Sequence, residues 1–208
     1  MLSNTLSALE NAYYKLNSKL FDDTLPDICI TIQHEKKKGK YITLGWFTTN
    51  YVWKNSDGIE MFELNITPDC LNSYYIDIIG TLVHEMVHLY CHINGITDCV
   101  GKKHNEDFKA ECEKVGLICE KEKSVGWGMT TVSPELREHI LSLDIDESSF
   151  ASSCEEIIIP KEPKKKKPKT YYICPQCREK VNSKKNDLAI MCVKCSKQFE
   201  FVQEDVEE

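Results

Sequence analysis

His84-Glu85-Met86-Val87-His88 lies in the middle of an apolar stretch that runs from about Asn72 to Asn94. The stretch reads as one long helix, with Gly95 as its stop. Residues four apart share a helix face, so His84 and His88 can reach one metal ion. Glu85 is their neighbour around the helix, where its carboxylate can hold a water against that metal. Ile76, Ile79, Val83, Met86, Tyr90 and Ile93 recur at three/four spacing. At about 100° per residue that stripe centres opposite the histidines. The expectation is a helix that buries one face and presents His84 and His88 on the other.

A catalytic zinc ion usually takes three protein ligands and keeps one position open. His92 continues the series, but it lies eight residues past His84, about 12 Å along the axis at about 1.5 Å per residue. It reads as a neighbouring or surface histidine. Position 94, where another zincin pattern would put a histidine, is Asn94. Glu106, Glu111 and Glu113 are available on the next predicted helix, about Asn105 to Val115, and read more simply as solvated charges. His104 remains, at the start of that helix. A loop containing Gly95 and Gly101 could fold it back over the first.

Working outward, Leu2, Leu6, Leu9, Tyr13, Leu16 and Leu20 form one face of an opening helix that Leu25-Pro26 ends. Ile28, Ile30 and Ile32 alternate as a strand. Tyr41 to Phe47 is a second strand candidate, and Phe62, Leu64 and Ile66 mark a third. Val125 to Val132 reads as strand or loop. Ser133-Pro134 reads as an N-cap followed by proline at the first helical position.

Further on, Cys174-Pro175-Gln176-Cys177 and Cys192-Val193-Lys194-Cys195 make two C-x-x-C pairs, the spacing of a structural zinc site. Tyr171, Tyr172 and Ile173 lead in and Phe199 and Phe201 lead out, as short strands of a zinc ribbon. So small a module depends on its metal for folding energy. A redox dithiol fits less well, because two pairs are present without a βαβ context.

The chain has 208 residues and a formal net charge of −7. That total hides a split. Residues 1–150 carry 14 Lys/Arg against 23 Asp/Glu, and residues 161–199 carry 12 against 3. Such asymmetry indicates two modules with different partners. The lysine run before the ribbon reads as a soluble linker, or Lys164, Lys165, Lys166, Lys167, Lys169, Lys180, Lys184, Lys185, Lys194 and Lys197 could neutralise phosphates, and on the second reading residues 161–199 are expected to bind nucleic acid. No apolar run approaches the roughly 20 residues of a membrane span, and the first residues lack the pattern of a secretory signal. Of 11 cysteines, the seven outside the pairs read as small buried hydrophobes in a reducing compartment, which places the protein in the cytoplasm.

The sequence resembles the SprT-like zinc metallopeptidases, which include the Spartan DNA–protein crosslink proteases. The resemblance begins at Leu9-Glu10-Asn11-Ala12-Tyr13-Tyr14-Lys15-Leu16-Asn17-Ser18-Lys19-Leu20-Phe21 and Leu25-Pro26. It continues through Gly45-Trp46-Phe47 and Glu63-Leu64-Asn65-Ile66, and culminates in the H-E-x-x-H motif with His104 and Phe108. It implies that His104 is the third zinc ligand beside His84 and His88, and that Glu85 is the catalytic base. Asn105 stands where a glycine often follows that histidine. None of the eukaryotic ubiquitin-binding equipment is present, which points to a bacterial or phage member.

The expected fold is therefore α+β, a zincin-like metallopeptidase domain with a small C-terminal zinc ribbon. The expected division is 1–150 SprT-like domain, 151–170 basic Lys/Pro-rich linker, 171–202 zinc ribbon and 203–208 acidic tail. Two zinc ions are expected, one catalytic and one held by Cys174, Cys177, Cys192 and Cys195. The expected activity is hydrolysis of peptide bonds in proteins on or crosslinked to DNA. Two other readings stand beside it. One is a non-proteolytic zinc protein that contacts nucleic acid or RNA polymerase. The other is a repressor-cleaving peptidase of a phage or mobile element.

Overall fold

The first helix, α1 (Leu2–Leu20), ends in a turn that Asn17 builds. Its amide donates to the Leu25 carbonyl at 3.0 Å and accepts from the Leu25 N–H at 3.1 Å. Tyr13 adds a hydrogen bond to the Pro26 carbonyl at 2.6 Å. The turn passes through Asp22 and Asp23 at φ 52° and 56°, a conformation that aspartate tolerates better than most residues. These bonds fix the direction in which the chain leaves α1 and enters the first strand.

The computed structural model describes residues 2–34, 42–150 and 169–204. It divides into two units, Met1–Glu156 and Ile157–Glu208. The expected linker lies almost wholly outside the described residues, as do Tyr41, Cys154 and the last four residues of the acidic tail.

The first unit is α+β. Strands β1 (Ile28–Thr31), β2 (Gly45–Phe47), β3 (Trp53–Lys54) and β4 (Glu60–Ile66) form one sheet in which β4 is central. β1 pairs with β4 in parallel, with Ile30 opposite Leu64, while β2 and β3 pair with it antiparallel. Asn65, fully buried, ties the parallel pair by accepting from Thr31 at 2.8 Å and donating to the Gln33 carbonyl at 3.1 Å. Helix α2 (Tyr75–Ile93) follows a short 3-10 turn. A second sheet holds β5 (Cys99–Val100), β6 (Lys103–His104), β7 (Leu117–Glu122) and β8 (Gly126–Val132) in the order β5-β6-β8-β7. Helix α3 (Glu106–Lys114) precedes β7, and α4 (Pro134–Leu141) is capped by the Ser133 hydroxyl, as its Ser-Pro start predicts.

Three differences from the sequence reading have physical causes. First, α2 is buried almost all round rather than on one stripe. Ile79, Val83 and Met86 are buried as expected, but so are Ile78, Leu82, Val87, Leu89 and Cys91. Both sheets and the other helices surround it, and Ile93, the last member of the stripe, is exposed. Gly80 permits the closest approach, since a Cβ there would lie 2.6 Å from the Val132 side chain on β8. Second, His104 sits on β6, with Asn105 as N-cap of α3 rather than within a helix start. Third, residues 117–122 form a strand that the periodicity did not indicate, because exposed Ile118 interrupts the alternation of buried Leu117 and Cys119 with polar positions.

The second unit pairs β9 (Lys169–Ile173) with β10 (Lys180–Asn182) and β13 (Glu200–Glu204), and β11 (Met191–Cys192) with β12 (Lys197–Gln198). Its core is Tyr172, Cys174, Cys192 and Phe199, with Ile190 and Phe201 packed on it.

Candidate metal centre and cleft

His84 and His88 project from α2 toward His104 on β6. Their rings lie 4.9 to 5.2 Å apart, centroid to centroid. One ring nitrogen from each lies within 4.8 Å of the others. Phe108, fully buried on α3, packs against all three rings at 4.4 to 4.9 Å and closes the inner side. It stacks nearly flat on His88, at an interplanar angle of 25°.

The outer nitrogens show how the inner ones must behave. His88 Nδ1 lies 2.6 Å from an Asp98 carboxylate oxygen, and His104 Nδ1 lies 2.9 Å from the Val125 carbonyl. Both partners accept and cannot donate, so each Nδ1 carries the ring proton. Each Nε2 is then a bare lone pair in the neutral ring. These two Nε2 atoms face each other at 3.0 Å. Two acceptors at that distance repel unless a cation lies with them. A tetrahedral zinc site with bonds near 2.05 Å would place its nitrogens about 3.3 Å apart. The donor set fits such an ion. His84 Nδ1 is held at 2.9 Å by the Thr130 hydroxyl on β8, which leaves its Nε2 for the same centre.

Protonation is disfavoured at His84 and at His104. Burial, and then the neighbouring His88 and His104, push His84 well below its ordinary value. Burial also lowers His104, against the opposing pull of the Val125 carbonyl. Burial raises Asp98, but the hydrogen bond and charge of His88 outweigh it and hold the carboxyl below its usual range. His84 and His104 are thus set to present neutral imidazoles, the form that binds metal.

Glu85 is buried in the adjoining wall, 5 % exposed. Burial pushes its carboxyl from 4.5 up to about 7. Gly45 makes room for it. A Cβ at that position would lie 3.0 Å from Glu85 Oε1 and 2.9 Å from the Asn65 carbonyl. Two further glycines make room for His104. A Cβ on Gly128 would overlap His104 Nδ1, and one on Gly126 would overlap the His104 backbone. Gly126 also has φ +66°, and it pairs with His104 in the parallel β6–β8 bridge.

A cleft of about 420 Å³ opens over this centre, lined by Gly45, Phe47, Glu85, His92 and Ile96 besides the histidines. His92 lies outside the cluster of three histidines and packs on Phe47 and Phe62. Glu106 and Glu113 are exposed, and Glu111 pairs with Lys114 at 2.7 Å. No glutamate of α3 joins the histidine cluster.

The residues that sequence reasoning missed are those that hold the others: Asp98, Thr130, Gly45 and Gly128. Gly126-Trp127-Gly128 carried a usable signal, since glycines within a strand mark close backbone approach. Asp98 and Thr130 carried none.

In the second unit the four thiols of Cys174, Cys177, Cys192 and Cys195 lie within 4.8 Å of one another. The two C-x-x-C turns repeat one geometry. The N–H of Arg178 bonds the Cys174 carbonyl at 3.0 Å, and that of Ser196 bonds the Cys192 carbonyl at 2.8 Å. Both Arg178 and Ser196 have positive φ, 62° and 51°. Two pairs that converge on one point form a metal cage compatible with a zinc ribbon rather than two separate dithiols.

A sequence model of the SprT-like family matches residues 9–124. No curated protein and no solved structure matches the chain. Among the described residues no helix is long and apolar enough to cross a membrane.

Proposed function

The chain belongs to the SprT-like family, and from that premise we propose that it is a zinc-dependent endopeptidase acting on proteins associated with nucleic acid. The observation that carries the reading is the pair of Nε2 lone pairs of His88 and His104, 3.0 Å apart beside a buried carboxyl.

His84, His88 and His104 would hold the catalytic zinc through Nε2. Bound there, the ion supplies a Lewis acid for a peptide carbonyl and makes a neighbouring water more acidic. Glu85 accepts the proton of the attacking water and returns it to the amine nitrogen as the peptide bond breaks. Burial raises that carboxyl to about 7 in the metal-free protein, and a group that exchanges its proton near neutral pH can serve both halves of the transfer. Asp98 and the Val125 carbonyl hold His88 and His104 in the tautomer that the site needs, and the Thr130 hydroxyl holds the His84 ring by its Nδ1. Gly45 leaves the Glu85 carboxyl its place at the cleft wall.

A non-proteolytic role would need neither Glu85 nor an open cleft over the histidines, and both are present. A repressor-cleaving peptidase keeps this chemistry and differs only in substrate.

The nucleic-acid half of the proposal rests on charge. Lys180, Lys184, Lys185, Lys194 and Lys197 are exposed on the second unit. Of these, Lys194 has Glu179 at 3.3 Å, and Lys180 lies over the Tyr171 ring at 4.4 Å. Lys164 to Lys167 lie outside the described residues. The test is degradation of a DNA-bound protein with and without DNA, comparing the chain with Glu85→Gln. Cleavage that is stimulated by DNA and abolished by Glu85→Gln supports the reading. DNA-independent cleavage would leave a peptidase without a nucleic-acid role.

A further inference from the structure

The cleft changes character along its length. Around His84, Glu85 and His88 its lining is polar. The lining also holds Phe47, His92 and Ile96, with Thr49, Cys99 and Lys102 in the same cleft. Side chains alternate along a strand, so Gly45 and Phe47 share the face of β2 that meets α2. Gly45 lies against Glu85, and Phe47 lies against His92 with ring centroids 5.6 Å apart. Phe62 stands edge-on to His92 at 5.4 Å and supports Phe47 at 5.5 Å. Tyr51 packs on Phe62 at 4.3 Å. Ile96 folds in from beyond the helix end. Gly95 at φ +67° makes the turn, and the Ile96 N–H bonds the Cys91 carbonyl at 2.8 Å.

His92 is therefore part of an aromatic wall, and that wall adjoins the reactive centre. His92 follows His88 by one turn, about 6 Å along the axis. An extended peptide advances about 3.4 Å per residue. A substrate side chain at this wall thus belongs to a residue within about two positions of the bond over the histidines.

We propose that Phe47, His92 and Ile96 form a subsite for a bulky apolar side chain of the substrate, and that this subsite selects where the chain is cut. The proposal rests on the peptidase reading and adds to it a substrate class: segments that carry Phe, Tyr, Leu or Met at one fixed position beside the cut. Charged side chains are disfavoured against Phe47 and Ile96, whose side chains offer no hydrogen-bond partner to replace their water.

The test is a randomised peptide library cleaved by the zinc-loaded full chain, with product sequencing. Apolar side chains at one position within two residues of the cut should be enriched at least about tenfold in kcat/KM over Asp or Gly. Ile96→Lys should reverse that preference toward Asp and Glu. Phe47→Ala, a second route to the same wall, should flatten it. Zinc content of each variant identifies any that lost the centre rather than the wall. A binding arm uses zinc-loaded Glu85→Gln and two fluorescent peptides that differ only in Phe or Asp at the selected position. The Phe peptide should bind at least about tenfold more tightly. Cleavage with no preferred side chain, or a preference unchanged in both wall variants, overturns the subsite and leaves the peptidase standing. No cleavage by the zinc-loaded chain overturns both.

Discussion

The ring nitrogens Nε2 of His88 and His104 face each other 3.0 Å apart, with both ring protons committed elsewhere, to Asp98 and to the Val125 carbonyl. One residue comes from α2 and the other from β6, so only the folded chain creates the pair. Its repulsion in the metal-free protein is the reason to expect tight binding of a cation, and several measurable consequences depend on it.

Metal content should be two zinc ions per chain. His104→Ala should lose the ion in the first unit and keep the one in the ribbon, whereas His92→Ala should keep both. Asp98→Ala should weaken the first site by about 10–100-fold, since it removes the acceptor that sets the His88 tautomer. Chelator competition on the full chain measures all three. Zinc loss from His92→Ala with none from His104→Ala would overturn the ligand assignment.

Gly45→Ala should retain zinc and lose most peptidase activity. The added Cβ would meet Glu85 Oε1 at 3.0 Å and the Asn65 carbonyl at 2.9 Å, and the carboxyl is the softer of the two. Steady-state kinetics with zinc analysis separates this from unfolding. Wild-type turnover in Gly45→Ala would show that Glu85 is not held as described.

Glu85 should also leave a mark on stability. Burial raises its carboxyl from 4.5 to about 7, so the folded state holds a proton that the unfolded state releases. The metal-free protein therefore loses stability from this group as pH rises from about 4.5 to about 7, and the loss is complete above that. Glu85→Gln removes the effect. Its metal-free unfolding free energy should match wild type near pH 4 and exceed it at pH 8 by on the order of 1–3 kcal/mol, with Tm raised accordingly at pH 8 alone. An equal Tm at both pH values would contradict a buried, uncharged carboxyl.

Removing residues 161–208 takes away 12 Lys/Arg of the basic stretch and leaves the acidic first unit. DNA affinity and its steep salt dependence should vanish, while cleavage of a free unstructured protein continues. Replacing Lys164 to Lys167 by serine should flatten the plot of log affinity against log salt, by about 0.7–0.9 for each phosphate no longer neutralised. Equal affinity of the full and shortened chains at low salt would make the ribbon a protein-binding module instead.

Which parts of this could be read from sequence follows from how local each interaction is. The four-residue spacing of His84 and His88 is a property of one helix. The C-x-x-C turns are likewise local, so both were legible. His104 stood in the sequence as the candidate left over, and only the resemblance gave it the ligand's role, because nothing near it in sequence shows that β6 lies against α2. Asp98, Thr130 and Gly45 reach the centre from a loop and two sheets, and no periodicity records such meetings. The burial of α2 was legible in part. Its second apolar series, Ile78, Leu82 and Leu89, stood in the sequence, but following a single stripe hid it. Phe47 and His92 were each seen alone, and only the β2–α2 packing makes them one wall.

The most direct test of the account is cleavage of an unfolded protein by the full chain carrying two zinc ions, beside Glu85→Gln carrying the same two. The account predicts cleavage by the former and a loss of about 10²–10⁴-fold in the latter, with zinc content unchanged. Equal cleavage by both, or none by the zinc-loaded wild type, would contradict it.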